Sequence, residues 1–330
     1  MTESLNNTAF VQQVEQSTQA MRALFPPTPL QKNLFLSERY GADIYLKRED
    51  LSPVRSYKIR GAFNAMSKHI AVGNHGPFVC ASAGNHAQGV AYACKYFGVK
   101  GVVFMPVTTP DQKIGKTASF GETKVRIELT GDYFDETLEA AKRYCDAENA
   151  TFLPPYDSET VIEGQASVAL ELLEQLGRKP DMVSVGVGGG GLSSGLLRFM
   201  DGKDALPHFR FTEPMGGRSL YQALSAGEQV TLDHVDNFVD GAAVARIGDA
   251  NFQVLKHQSP DHVIGIPENR LCGTILEMLN IEGIVLEPAG ALTVDALKDL
   301  EAEIRGKTIE CITSGGNYDF ARHPDEKERA

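Results

Sequence analysis

No apolar run in this 330-residue chain approaches the ~20 residues that a membrane helix needs. The N-terminus, MTESLNNTAFVQQVEQ, lacks the charged start and apolar stretch of a secretion signal. Positive charge is in deficit: 32 Lys and Arg face 43 Asp and Glu, a formal net charge of −11. A nucleic-acid or anionic-membrane partner calls for a basic footprint, so both are disfavoured. Acidity on this scale implies only a soluble, self-repelling molecule. Cysteine is sparse: Cys80, Cys94, Cys145, Cys272 and Cys311 are odd in number, scattered and without metal-ligand spacing. Cys80 and Cys311 lie inside apolar runs and read as core residues. A reducing, cytoplasmic setting is the expectation. Internal repeats and low-complexity segments are also missing. So is a P-loop, because no glycine loop leads into a Lys-Ser or Lys-Thr pair.

What is present is an ordinary globular composition, 42% apolar and 23% charged, long enough for one large domain or two of ordinary size. Short apolar runs at 43–47, 77–82, 101–106, 124–130, 182–187, 209–213, 262–266 and 309–313 read as strands. Helical patterns lie between most of them, at roughly 86–97, 134–148, 160–177, 191–201, 267–281 and 289–304. The strands are apolar throughout rather than alternating, as expected when both faces of a sheet are covered. Strand–helix repetition predicts an α/β fold of parallel sheets wound with helices on both sides. TFLPPYDSET (151–160), with two prolines among turn-formers, reads as a crossing point between two lobes.

In open parallel sheets, ligands bind where strands end and helices begin. Three such junctions stand out. In CASAGNHAQG (80–89) a strand runs into Ser82, Ala83, Gly84, Asn85 and His86. Small residues there let a ligand reach free helix N–H groups, which suit a carboxylate. The plainer reading is an N-cap by Ser82 or Asn85, with His86 a packed residue. In GVGGGGLSSG (186–195) four consecutive glycines, Gly188 to Gly191, precede Leu192 and open a helix. Such a run is costly in conformational entropy unless the backbone needs positive φ or close contact with a ligand. Phosphate is the natural occupant of that nest of N–H groups. A rival pattern overlaps it. Gly186, Gly188 and Gly191 match G-x-G-x-x-G, and Glu213 lies 22 residues beyond Gly191, as in a dinucleotide site. The rival is weakened by its place past mid-chain. The third junction, ITSGGN (312–317), taken alone is a turn.

One lysine also stands out. Lys58, in VRSYKIRGA, is by its residues alone either a solvated charge at a helix start or a reactive amine.

SYKIRGA, SAGNHAQG, GGGGL, EPAGA and SGGN occur in an order and at spacings that resemble the threonine dehydratases, from about Thr28 to about His323. These are pyridoxal-phosphate enzymes of the β-family (fold type II), and PVRSYKIRGA and NFVDGAAV look most similar to the biosynthetic type. The resemblance implies a two-lobed, tryptophan-synthase-β-like α/β architecture. The large lobe would comprise 1–48 and 152–330, with a small lobe of 49–151 inserted in it. It implies pyridoxal 5'-phosphate as cofactor, joined to Lys58 as a Schiff base. Asn85 would touch the ring hydroxyl, Gly188, Gly189, Gly190, Gly191 and Leu192 would cradle the phosphate, and Ser314 would face the pyridine nitrogen. The loop of Ser82, Ala83, Gly84, Asn85 and His86 would hold the substrate carboxylate. Glu287 in EPAGA would support the ring, or would be a plain helix N-terminal carboxylate before Pro288. A homodimer or homotetramer is implied. Some relatives bind a metal where this chain reads TEPMGGRSL (212–220). Only Glu213 matches the first carboxylate, and Arg218 and Ser219 occupy the region of the second, so no metal is expected. The chain stops in HPDEKERA, about where a linker to an isoleucine-sensing domain would begin. No C-terminal regulatory domain and no isoleucine feedback are expected.

The implied reaction is α,β-elimination: L-threonine to 2-oxobutanoate and ammonia, a first step toward isoleucine, with L-serine a secondary substrate. Lys58, displaced by the substrate amine, would then take the Cα proton. That needs a lysine of lowered pKa, expected from desolvation and from the nearby Arg55 and Arg60 charges. Ser314 is neutral and would not hold a long-lived carbanion, which favours loss of the β-hydroxyl. Three other readings stay open: a serine dehydratase or serine racemase, a nicotinamide oxidoreductase built on 186–213, and a protein that binds the cofactor without turnover.

Overall fold

The computed structural model describes residues 7–319. The charged tail from His323 lies outside the described residues. The strands divide between two sheets. The larger, in spatial order, comprises β1 (Leu30–Lys32), β2 (Asp43–Arg48), β10 (Thr308–Thr313), β7 (Met182–Gly186), β8 (His208–Pro214) and β9 (Val263–Ile266). The smaller is β5 (Val125–Leu129), β4 (Gly101–Met105), β3 (Phe78–Ala81) and β6 (Thr151–Phe152). All pairings are parallel except β1 on β2.

Helices link and flank the strands: α1 (Asn7–Met21), α2 (Leu34–Tyr40), α3 (Lys58–Ala71), α4 (Asn85–Phe97), α5 (Asp111–Gly121), α6 (Phe134–Glu148) and α7 (Glu159–Leu176). They continue as α8 (Gly191–Gly202), α9 (Ser219–Ala226), α10 (Asp249–Leu255), α11 (Glu268–Glu282), α12 (Pro288–Asp295) and α13 (Leu297–Ile304).

The expectation of strands covered on both faces is met along β3, β4 and β10 but not along the edge strand β5, where Arg126 and Leu129 are exposed. Along β3, Phe78 and Cys80 enter one apolar cluster, while Val79 and Ala81 enter another on the opposite face. Along β10, Ile309 and Cys311 pack one way and Ile312 the other. Side-chain alternation along a strand with helices on both sides produces this double burial. Cys80 and Cys311 are fully buried, and no disulfide joins any of the five cysteines, all of which lie among the described residues.

Two expectations need amendment. The helical pattern at 289–304 is two helices, α12 and α13, with Ala296 between them. Strands β1 and β6, only 3 and 2 residues long, and helices α1, α2, α5, α9 and α10 lie outside the elements expected from the sequence. No helix among the described residues is long and apolar enough to cross a membrane.

Candidate active site

The site is built around the N-terminus of α3. Residues 52–57 form a tight turn before Lys58, and the turn is tied to the end of β10. Tyr57 N–H donates to Ser314 O at 3.1 Å and Gly316 N–H to Arg55 O at 2.9 Å, while Ser56 bridges Gly315. Arg55 adopts φ +58°, a left-handed conformation uncommon for a side-chain-bearing residue. Lys58 is thereby held against the SGGN turn, which the sequence places 256 residues away (314 − 58).

Lys58 is partly buried. Its Nζ donates to the Pro155 carbonyl at 2.9 Å and lies 5.2 Å and 5.9 Å from the ring centroids of Tyr57 and Tyr156. Among the described residues it forms no ion pair. Burial lowers its pKa to about 8, with the Glu287 carboxylate pulling the other way. The expected contribution of arginine charge is corrected here. Arg60 is fully buried, and its guanidinium is engaged by Glu49 and Glu171, each at 2.8 Å, and by Ser167 and Thr28. Arg55 is exposed and donates from Nε to Gly316 O at 3.1 Å. Desolvation, not arginine, does the lowering.

The glycine loop follows β7. Gly190 takes φ +92°, and α8 begins at Gly191 with no side-chain cap, so its first N–H groups lack a side-chain partner. Packing keeps the loop bare. A Cβ on Gly189 would lie 2.3 Å from the Tyr156 ring, and one on Gly191 would lie 2.9 Å from Tyr156 O. Tyr156 thus joins Lys58 to the glycine loop. Asn251, unremarked in the sequence, braces the far side. Its Nδ2 donates to Gly189 O at 2.8 Å, and its Oδ1 accepts from Ser194 Oγ at 2.6 Å. Leu192 is buried in the core behind the loop.

The loop of 82–86 crosses from β3 into α4. Ser82 Oγ accepts from Gly84 N–H at 3.2 Å, and Gly84 occupies the N-cap position without a side-chain cap. The capping reading of Ser82 and Asn85 is therefore not what forms. Ser82, Ala83, Gly84 and Asn85 are partly exposed, and a Cβ on Gly84 would meet nothing within 4 Å. His86 is buried, its Nε2 hydrogen-bonded to Leu153 O at 2.9 Å. Burial and then the Lys58 charge push its pKa down to about 3, so the ring is neutral and structural.

Asn85 Nδ2 donates to Glu287 Oε1 at 2.6 Å, and Asn317 N–H to Glu287 Oε2 at 3.2 Å. Glu287 precedes α12, but its side chain does not cap that helix. It turns into the site, where burial and then Asp240 raise its pKa to about 7. A Cβ on Gly315 would lie 2.2 Å from Glu287 Oε1, so the SGGN glycine makes room for this carboxylate. Ser314 Oγ donates to Ala289 O at 3.3 Å at the end of β10. Lys58, the 82–86 loop, the glycine loop, Glu287 and the SGGN turn thus converge.

Glu213 does not join them. It is fully buried and accepts from the N–H groups of Leu220 at 2.7 Å and Tyr221 at 3.0 Å at the start of α9. A carboxylate used this way is not free for a ribose, and the nicotinamide reading loses its acid. No group of three or more metal-ligating side chains occurs among the described residues.

Comparison with known proteins gives this convergence a family. Residues 22–315 match the family described as "Pyridoxal-phosphate dependent enzyme". The chain belongs to that family. The pyridoxal-phosphate dependent enzymes it resembles include the L-threonine dehydratase biosynthetic IlvA of Bacillus subtilis, 43% identical over 98% of this chain and 77% of the relative. The processed form of threonine deaminase isoform 2 from Solanum lycopersicum superimposes with a TM-score of 0.90 at 31% identity, over 98% of this chain and 94% of that one. Serine racemase from Dictyostelium discoideum follows at a TM-score of 0.84 and 26% identity, over 94% and 98%. The residues present suit the family's cofactor: an amine of lowered pKa, an uncapped helix start behind a bare glycine turn, and neutral polar groups between them.

Proposed function

We propose that this pyridoxal-phosphate dependent enzyme is a threonine dehydratase, an ammonia-lyase that converts L-threonine to 2-oxobutanoate and ammonia. The single observation that carries the reading is the convergence on one partly buried, ion-pair-free lysine, Lys58, of the glycine turn and the neutral Ser314. The names of the relatives supply the substrate. In this reading Lys58 binds the cofactor covalently. Gly188 to Leu192 hold the phosphate, Asn85 the ring hydroxyl and Ser314 the ring nitrogen, with Glu287 supporting.

When bound, pyridoxal phosphate supplies an electron sink for the carbanion at the amino acid's Cα. Lys58 Nζ would take the Cα proton, and with its pKa near 8 much of it is neutral at mildly alkaline pH. Ser314 offers a hydroxyl and no negative charge, so it does not stabilise a protonated ring nitrogen as a carboxylate would. Backbone N–H groups at the start of α4 bind and orient the substrate carboxylate, with Ser82, Ala83, Gly84, Asn85 and His86 forming that loop. Tyr57 and Tyr156 flank the amine and limit its access to water.

A large lobe of 1–48 and 152–330 and a small lobe of 49–151 belong to the same reading. The division of strands between two sheets supports them, with β6 ending one residue past the expected boundary. A cytoplasmic setting accords with five cysteines and no disulfide among the described residues. A homodimer or homotetramer rests on the family likeness, and sedimentation of the purified protein checks it.

The test is direct. Protein supplied with the cofactor should be yellow and form 2-oxobutanoate from threonine, and borohydride should fix the cofactor to the peptide carrying Lys58. Colourless protein that makes no oxo acid would remove the proposal. The serine racemase neighbour favours one second reading, which the same assay decides: D-serine formed faster than any oxo acid would select it.

A further inference from the structure

Asn317 lies just past β10, and its carboxamide has polar neighbours on both ends. Lys116 Nζ, on α5, donates to its Oδ1. An ammonium can only donate, so the atom it faces must be oxygen. The Val54 carbonyl, which can only accept, faces Nδ2 at 2.9 Å. The two neighbours agree on one orientation of the amide. Nδ2 also lies 2.6 Å from Asn85 Oδ1 and 2.9 Å from Gln88 Oε1; its two hydrogens are shared among three oxygens, and Asn85, the nearest, takes one. The Asn85 atom that meets a donor must in turn be its oxygen. Its own Nδ2 therefore points the other way, to Glu287 Oε1 at 2.6 Å. Two carboxamides stand head to tail between an obligate donor at the rim and a carboxylate inside.

We propose that Lys116 and Asn317 are positioning residues that fix the rotamer of Asn85 so that its donor end, Nδ2, is presented to the cofactor's ring oxygen. The proposal rests on the cofactor reading above. A reversed Asn85 would set oxygen against the anionic ring oxygen, acceptor against acceptor, and against Glu287 whenever that carboxyl is ionised. Lys116 meets this array through its hydrogen bond to Asn317, and its charge also acts on Glu287. Lys113, one turn earlier on α5, provides the comparison: it pairs with Asp240 at 2.5 Å and, like Lys116, its charge acts on Glu287, but it does not touch Asn317.

The experiment measures the affinity of the cofactor-stripped protein for pyridoxal phosphate and the absorbance spectrum of the refilled protein. N317D keeps an oxygen for Lys116 but replaces Nδ2 with a second acceptor, which forces Asn85 to reverse. It should weaken binding about tenfold or more and shift the bound chromophore toward its shorter-wavelength, neutral-ring-oxygen band. K116M should weaken binding severalfold in the same direction, K116R should recover most of the loss, and K113M should stay within about twofold of the unaltered protein. Melting curves confirm that each variant is folded. Unchanged affinity and spectrum in N317D would overturn the proposal. So would equal losses in K113M and K116M, which would mark general closure of α5 rather than amide orientation, and so would failure of K116R to recover. If the unaltered protein takes up no pyridoxal phosphate, the cofactor reading itself fails, and the assignment of these two residues falls with it.

Discussion

At the scale of the residue, Lys58 and Glu310 each give a pH dependence that can be measured. Lys58 is held near pKa 8 by desolvation. Only its neutral form can attack an aldehyde, so capture of pyridoxal phosphate by the stripped protein should speed up as pH rises, with a midpoint near 8. Stopped-flow absorbance reads this directly, and Lys58→Ala should abolish both the capture and the turnover. Glu310, in the centre of β10, is fully buried, and among the described residues neither carboxylate oxygen has a hydrogen-bond partner. Burial raises its pKa to about 8, from 4.5. The folded protein holds a proton that the unfolded chain releases, so this contribution is complete below about 4.5 and is lost as pH rises through about 8. Glu310→Gln removes the ionisation. Its melting temperature should match the parent's at pH 5 and exceed it by several degrees at pH 9.

At the scale of the element, the glycine turn was legible because four glycines in a row have few other uses, and the alternation of apolar runs with helical patterns outlined most of the strands. Their ends moved by a residue or two. What stayed hidden has a physical reason. Strand β1 is the polar tripeptide Leu-Gln-Lys, recruited by antiparallel pairing with β2. Helix α5 carries two glycines, Gly115 and Gly121, and little helix propensity, so its packing rather than its composition makes it a helix. Asn251 and Tyr156 shape the turn from 60 and 33 residues away (251 − 191 and 189 − 156), and no local pattern links them to it. The turn itself is testable. Gly190→Ala would need φ +92° with a Cβ 2.9 Å from Asn251 Cβ. It should cost about 1–2 kcal/mol from the left-handed backbone alone, read as a lower melting temperature, and should weaken cofactor binding at least tenfold.

At the scale of the whole molecule, α3 is anchored by a buried charge network that spans the fold. Arg60 on α3 meets Glu171 on α7 and Glu49 after β2, while Lys47 on β2 reaches Glu171 Oε2 at 2.6 Å; all four side chains are fully buried. Arg22 adds a third cation to Glu171 at 2.6 Å. Breaking a buried pair by removing one partner strands the other charge. Glu171→Gln should therefore destabilise by about 3–5 kcal/mol in urea unfolding. Because the network holds the helix that begins at Lys58, any residual activity should show a weaker grip on the cofactor.

The sequence by itself determined the chemistry available: the lysine, the run of glycines, the small-residue junction and the neutral serine are local facts of residue type and order. Only the tertiary structure decided which of them work together and in what electrical state. The pKa of Lys58 depends on burial by residues far along the chain, Glu213 leaves the running because α9 starts above it, and the orientation of Asn85 depends on Lys116 and Asn317. Desolvation and hydrogen-bond polarity are properties of surroundings, and surroundings exist only once the chain has folded.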